Sequence, residues 1–279
     1  MLVKLLFFMN FFKKILDFYI KSSLHVAFSV FALVHMTGFL FRIINIESCA
    51  YFAFFGTIVG YNFVKYDALA RTQKVNMSLS LKVIAFLSFI SLVATMFFFL
   101  KLETITKILG LVFLILTLLY TLPFFPNKRN ARNWAGIKIY IVTLCWVGVT
   151  LVLPIINAQV PIDNYVFLVA MQRFVFVFVL VLIFEIIDLR QDDPHLQTVP
   201  QKIGVKNTKI IGVSLMIVFV FLEYFDSNFK QEILLLKLGI AITTSLFLLF
   251  ANEKKSKYYS SFWVESIPIF WWVLLVTFS

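Results

Sequence analysis

The chain has 279 residues, of which 61% are hydrophobic and only 14% charged, and its mean hydropathy is +0.95. A soluble domain of this length cannot hide so much apolar surface, so the composition excludes a soluble enzyme or binding module and requires an integral membrane protein. The formal charge of +11 is accounted for by the basic residues that orient membrane segments, and it implies no nucleic-acid partner.

The first 21 residues read as a unit of their own. Asn10, Lys13, Lys14, Asp17 and Lys21 fall within about a 100° arc of a helix, while Phe8, Phe11, Phe12, Ile15 and Tyr19 take the opposite side. That is the pattern of a helix lying in the membrane interface. Its apolar run is too short for a secretory signal, and no small-residue cleavage site follows. Further on, segments of roughly 17 to 25 apolar residues, enough to cross a bilayer, occur over 22–44, 48–66, 83–100, 107–125, 137–157, 165–187, 208–226, 233–251 and 260–278. The expected fold is therefore all-α: an interfacial segment over 1–21, then one membrane domain of nine transmembrane helices over 22–279.

Lysine and arginine set the orientation. Of the 25 such residues, 19 fall in the N-terminal segment and in the connections after the second, fourth, sixth and eighth spans. Only Arg42, Lys101, Lys107, Lys230 and Lys237 fall on the other side, and Arg173 lies inside a span. The positive-inside rule then makes the N-terminus and the connection between spans six and seven cytoplasmic, and the C-terminus external. The reading is a multi-pass protein of the cell inner (plasma) membrane.

Polar residues inside the spans are few. His25 and His35 are ten residues apart, about 80° out of register on a helix, and read as satisfied core or interface histidines. Cys49 and Cys145 are isolated, with no metal or disulfide spacing. Arg173 precedes Asp188 by 15 residues, roughly 22 Å along a helix; an intramembrane charge needs a partner, and a structural ion pair is the favoured reading over a site residue. Glu265, one turn into the last span, reads either as a cavity residue or as a snorkelling surface carboxylate.

The end of span six carries the strongest signal. The apolar stretch 165–187 runs into Glu185, Asp188, Asp192 and Asp193. On a continuous helix, Glu185, Asp188 and Asp192 share one face at the membrane–water boundary. Carboxylates so close repel one another unless a cation lies between them, and hard oxygens on a flexible site suit Mg²⁺. A charged inter-helix loop is the plain alternative.

Asp188-xxx-Asp192, then Thr198-Val199-Pro200 and Ile203-Gly204, resembles the second Asp-rich signature of the UbiA-type prenyltransferases. Ile187 stands where that family commonly has Arg, and the loop is one residue short. The family's first signature is matched at Asn62, but Phe63, Tyr66 and Ala70 occupy its carboxylate positions, and Asp67 is one residue out of phase. The connection with Tyr120, Pro123, Pro126, Lys128, Arg129 and Arg132, followed by Gly136, is also similar to the family.

The resemblance implies a site of Asp188, Asp192 and Asn62, with Mg²⁺ on Asp188, Asp192 and Glu185. It also implies prenyl diphosphate and a lipophilic acceptor as substrates among membrane lipids; no protein partner is implied. Lys65, Arg71, Lys128 and Arg129 are the candidate diphosphate ligands. Lys65 and Arg71 read equally as replacements for a lost metal and as positive-inside anchors. Prenyl transfer is the leading expectation. A non-catalytic isoprenoid-binding relative comes second, and a small-molecule transporter third, since neither internal repeats nor broken midplane helices are evident in the sequence.

Overall fold

The structure is a computed structural model that describes residues 2–72, 78–121, 136–192, 196–227 and 229–278, with side chains omitted for 2–11, 67–72 and 119–121. Among the described residues there is no β-strand. Eleven α-helices follow one another: α1 (Leu2–Lys21), α2 (Leu24–Leu40), α3 (Glu47–Thr72), α4 (Leu79–Leu100), α5 (Thr104–Thr121), α6 (Lys138–Val147), α7 (Leu153–Asn157), α8 (Asn164–Asp188), α9 (Val199–Phe221), α10 (Gln231–Phe250) and α11 (Ile267–Phe278). One π-turn, Gly148–Val152, joins α6 to α7, and a second, Tyr259–Val264, precedes α11.

Six of these rods are long and apolar enough to cross a membrane: Leu79–Leu100, Lys138–Asn157, Asn164–Asp188, Val199–Phe225, Gln231–Phe250 and Tyr259–Phe278. A seventh arises if Phe12–Lys21 and Leu24–Leu40, bent by 60°, are taken as one span. Each segment read as a span from sequence contains a helix. α3 carries more polar residues than the six, however, and the described apolar part of α5, Thr104–Leu118, is short.

Helix α8 is the axis of the bundle. Within its apolar window 61% of residues are buried, against 11% in α4, so α8 makes the core and α4 faces outward. Val175, Phe176, Val179, Leu182, Ile183 and Ile186 of α8 pack against Met216 and Phe219 of α9, Ile240 and Leu248 of α10, and Trp271 and Leu275 of α11. Contact between apolar side chains gives this core its density, since lipid offers no hydrophobic incentive for helices to associate. Asp163 accepts from the Val166 N–H at 3.0 Å and caps the start of α8.

Two spans are broken, and α2 stands against both breaks. Pro154 has no N–H to return to the Thr150 carbonyl. That carbonyl accepts instead from the Thr37 hydroxyl of α2 at 2.7 Å and from Arg173 Nη1 at 3.0 Å. The same Nη1 donates to the Leu33 carbonyl and the Thr37 hydroxyl, both at 2.8 Å. Arg173 is 2% exposed, and among the described residues no carboxylate bonds it. The ion pair expected for Arg173 is therefore corrected: the Leu33 carbonyl, the Thr150 carbonyl left short by Pro154 and the Thr37 hydroxyl take the place of a counter-ion.

The second break lies before Pro268. Glu265 donates its N–H to Ser260 O, five residues back, at 3.1 Å, and its carbonyl accepts from the Ser29 hydroxyl of α2. His25 Nε2 donates to Phe262 O at 2.8 Å, and Tyr19 bonds His25 Nδ1 at 3.0 Å. His25 is thus satisfied on both nitrogens, as its sequence context suggested. A further buried group escaped the sequence reading: Lys237 pairs with Glu223, and Gln172 bridges them through Oε1 to Lys237 and Nε2 to Glu223, both at 2.9 Å. This group ties α8 and α10 to the 3₁₀ turn Leu222–Phe225 that continues α9.

The role given to Arg173 has a measurable consequence. Arg173→Met removes donors from two buried carbonyls and should destabilise the protein by about 1–3 kcal/mol for each group left short. Pro154→Ala restores a helical N–H opposite Thr150 O. The cost of Arg173→Met should fall in that background, read as a coupling energy in a double-mutant unfolding cycle. Strictly additive costs would rule out the shared carbonyl as the reason for the arginine.

Candidate functional site

The connections rich in Lys and Arg share one end of the bundle, as their mutual contacts show. Lys138, at the start of α6, meets Asp192 after α8 at 3.3 Å. Arg190 bridges Glu253, between α10 and α11, at 3.0 Å. Tyr258 donates to Asp17 of α1, and that hydrogen bond, followed by burial, pushes the Tyr258 phenol above its ordinary range.

The acidic face expected from a continuous helix is cut short. α8 ends at Asp188, and the chain turns over its carbonyl: Gln191 N and Asp192 N both donate to Asp188 O, at 2.7 and 2.9 Å. Asp192 therefore comes from a turn after the helix and points at Lys138. Glu185 is 1% exposed, and its Oε2 accepts from the Val199 N–H, an otherwise unsatisfied donor at the start of α9, at 3.0 Å. Lys138 and Asp192 are both within electrostatic reach of Glu185. Among the described residues no group of three or more His, Cys, Asp or Glu side chains stands ready for a metal ion. Of the three carboxylates expected to cluster, Glu185 anchors α9, while Asp188 and Asp192 are joined across the turn through backbone, Asp192 N–H to Asp188 O.

The signature's tail shapes the entry to α9. The Thr198 N–H donates to Gln201 Oε1 at 2.9 Å, and Pro200 falls in the first turn, where its missing N–H does no harm. Gly204 adopts φ 77°, ψ 157° and kinks the helix there. Gly136, with φ 73°, donates its N–H to Leu196 O at 3.4 Å and lies beside Lys202. The two connections are thus stitched together by backbone.

Asn62 belongs to a different group. It is buried on α3, accepts from the Ser23 hydroxyl at 2.8 Å, and donates to Ser22 O at 3.1 Å and to the Ser88 hydroxyl at 2.9 Å. These bonds pin α3 to the elbow between α1 and α2 and to α4; they bring Asn62 no contact with Asp188 or Asp192. Lys65, one turn further along α3, donates to Ser23 Oγ at 2.9 Å and to Ile20 O at 3.4 Å while remaining exposed. Lys65 and Glu265 are close enough for their charges to interact. The side chain of Arg71, and the whole of Lys128 and Arg129, lie outside the described residues.

Sequence reasoning counted Lys138 only as a topological charge and missed Ser22, Ser23 and Ser88 altogether. No spacing rule joins an elbow at residue 23 to helices forty and sixty residues away. A cavity of about 420 Å³ lies between α9 and α10, lined by Val213, Met216, Val220, Tyr224, Leu238 and Ala241. It is an apolar cleft on the flank of the bundle and includes no side chain of either polar group.

No family model and no curated protein matches the chain. Among solved structures, it is similar to the apo structure of a UbiA homolog from Aeropyrum pernix K1, with 14% sequence identity and a TM-score of 0.65. The match covers 91% of this chain and 97% of that one. At such identity the likeness establishes the fold: a UbiA-like helical membrane bundle over nearly the whole chain.

Three substitutions test the local reading. Glu185→Leu strips the Val199 N–H of its acceptor and should destabilise the protein by about 1–3 kcal/mol, whereas Glu185→Gln keeps an acceptor oxygen and should be markedly milder. Gly204→Ala meets nothing within 4 Å, so its cost, about 1–3 kcal/mol, comes from backbone strain alone. Denaturation in detergent reads all three.

Proposed function

We propose that this protein transfers a prenyl group from a prenyl diphosphate to an aromatic or lipid acceptor at the cytoplasmic face of the cell inner membrane. The observation that carries the reading is the turn at the end of α8 within a UbiA-like bundle: Asp188 and Asp192 stand in the spacing of the UbiA signature, their backbones are joined across the turn, and Asp192 is paired with Lys138. The proposed arrangement has nine spans, an interfacial α1, a cytoplasmic N-terminus and an external C-terminus, following the lysine and arginine distribution.

The donor set at the turn fits a magnesium ion shared with substrate. Mg²⁺ commonly takes one or two carboxylates from a protein and fills its other positions with phosphate oxygens and water. Asp188 and Asp192 would be those carboxylates, and the bound ion supplies positive charge to the leaving diphosphate. The allylic C–O bond breaks with its electron pair on the diphosphate, and a nucleophilic atom of the acceptor bonds the allylic carbon. Lys65, Arg71, Lys128 and Arg129 supply fixed charge to the diphosphate, with Lys138 added to them. Fixed cations take on greater weight here because Phe63, Tyr66 and Ala70 stand at the first signature's carboxylate positions.

That same loss favours a second reading, in which the protein binds an isoprenoid diphosphate without turning it over. The transporter reading gains little from the two broken spans. The first break is closed by the buried Arg173 and Thr37.

The purified protein with Mg²⁺ should release diphosphate from geranyl, farnesyl or longer prenyl diphosphates when an acceptor is supplied. Asp188→Asn and Asp192→Asn should each lower that release by two to three powers of ten, or about 2.7–4 kcal/mol at the transition state. Binding without release identifies the binding protein, and absence of binding leaves a shared fold without the shared chemistry. Reporter fusions after Lys74, Arg132, Lys202 and Lys255 should read cytoplasmic, and a fusion at the C-terminus external; the opposite pattern overturns the orientation.

A further inference from the structure

A bend of 60° turns α1 away from α2 at the end of the bundle that carries the basic connections. The last carbonyls of α1 and its elbow are held by α3. Lys65 Nζ donates to Ile20 O at 3.4 Å, the Tyr66 hydroxyl to Lys21 O at 3.0 Å, and Asn62 Nδ2 to Ser22 O at 3.1 Å. The connection before the last span holds α1 as well. The Tyr258 hydroxyl donates to Asp17, and His25 links Tyr19 to the Phe262 carbonyl through contacts of 3.0 and 2.8 Å. These bonds make α1 a fixed part of the bundle.

The Tyr258–Asp17 bond decides which charges meet. Asp17 lies four residues from both Lys13 and Lys21 and three from Lys14, positions that share one side of a helix. Tyr258 ends a connection that contributes Lys254, Lys255 and Lys257. One hydrogen bond between residues 241 positions apart thus joins two groups of three lysines. All six are exposed. The acids of these segments are engaged, Asp17 with Tyr258 and Glu253 with Arg190. Lys255 lies over the Tyr259 ring, 5.0 Å from its centroid. Among the described residues the other five ammonium groups have no hydrogen-bond or ion-pair partner, so they are open to an anion from outside the chain.

The apolar side of α1 narrows the choice of anion. Phe12 and Ile15 are exposed beside these lysines. An amphipathic helix of this kind rests its apolar side chains among acyl chains and its ammonium groups at the level of the headgroups. Clusters of roughly four to eight Lys or Arg at that level attract anionic lipids. The positive-inside rule accounts for lysines in each segment alone. It gives no reason for a bond that fixes the two sets beside one another. We propose that α1 and the connection 252–258 together bind the headgroup of an anionic phospholipid, with Tyr258 and Asp17 as the clasp that holds the two halves of the site. The assignment is independent of prenyl transfer.

The test uses the purified full chain in a neutral detergent, titrated with phosphatidylglycerol bearing a fluorescent tail and with phosphatidylcholine of the same tails. Phosphatidylglycerol should bind saturably and more tightly than phosphatidylcholine, and added salt should weaken it. Lys13→Gln and Lys254→Gln should each weaken it about fivefold. Tyr258→Phe leaves every charge in place and should still weaken binding. Asp17→Ala should weaken it too, although the chain becomes more positive. The glutamine variants change only exposed side chains, so they carry the test by themselves if either clasp variant fails to fold. Equal binding of the two lipids overturns the proposal. So does tighter binding in Asp17→Ala with no change in Tyr258→Phe, the mark of scattered charge without a built site. Displacement of the lipid by an equimolar amount of inorganic diphosphate would assign the lysines to a free phosphate and overturn it as well. Each of these results leaves the prenyl-transfer reading where it stands.

Discussion

The bundle depends on how carbonyl groups at the breaks in its helices are satisfied in a medium that offers them no water. A backbone acceptor left unpaired in hydrocarbon costs several kcal/mol. Pro154 and Pro268 each interrupt a span next to a π-turn, and the polar residues of α2 are placed where these breaks need partners. Thr37 and Arg173 serve the Thr150 carbonyl that Pro154 leaves without a helical donor, while at the second break Ser29 bonds the Glu265 carbonyl and His25 adds a donor to the Phe262 carbonyl, which also accepts from Ser266 N–H. The position of α2 is thereby set by directional bonds, and the apolar packing of α8 against α9, α10 and α11 fills in around it.

The same arrangement determines which side chains are available for chemistry. Once Arg173 is used on carbonyls and His25 on Phe262 and Tyr19, neither is left to act on a ligand. At the turn after α8, Glu185 is likewise used up by the Val199 N–H. Structural demand for hydrogen bonds thus sorts the ionisable residues of this protein into those that build and those that remain reactive.

Charge compensation at the basic end follows a related logic. Lys138 sits on Asp192 where a cation between neighbouring carboxylates is electrostatically required. Its ammonium lowers the repulsion between Asp192 and the nearby Glu185. Asn62 is committed to Ser22, Ser23 and Ser88 and so holds α3 against the elbow onto which Lys65 reaches.

The sequence by itself determined the helical membrane class, the approximate places of the spans and the Asp188–Asp192 signature. Hydropathy and short-range spacing carry that information, because a bilayer demands long apolar runs and a helix places neighbours by residue interval alone. It also set the sharing of basic connections between alternate loops, which the contacts of Lys138, Arg190 and Tyr258 place at one end. Only the tertiary structure decided that α8 stops at Asp188, that Glu185 anchors α9, that Arg173 binds carbonyls in place of a carboxylate, and that Lys237 and Glu223 meet with Gln172 bridging them. Each of these depends on which buried donor or acceptor lacks a partner after the helices pack, and that deficit is a property of the assembled bundle that no local pattern records.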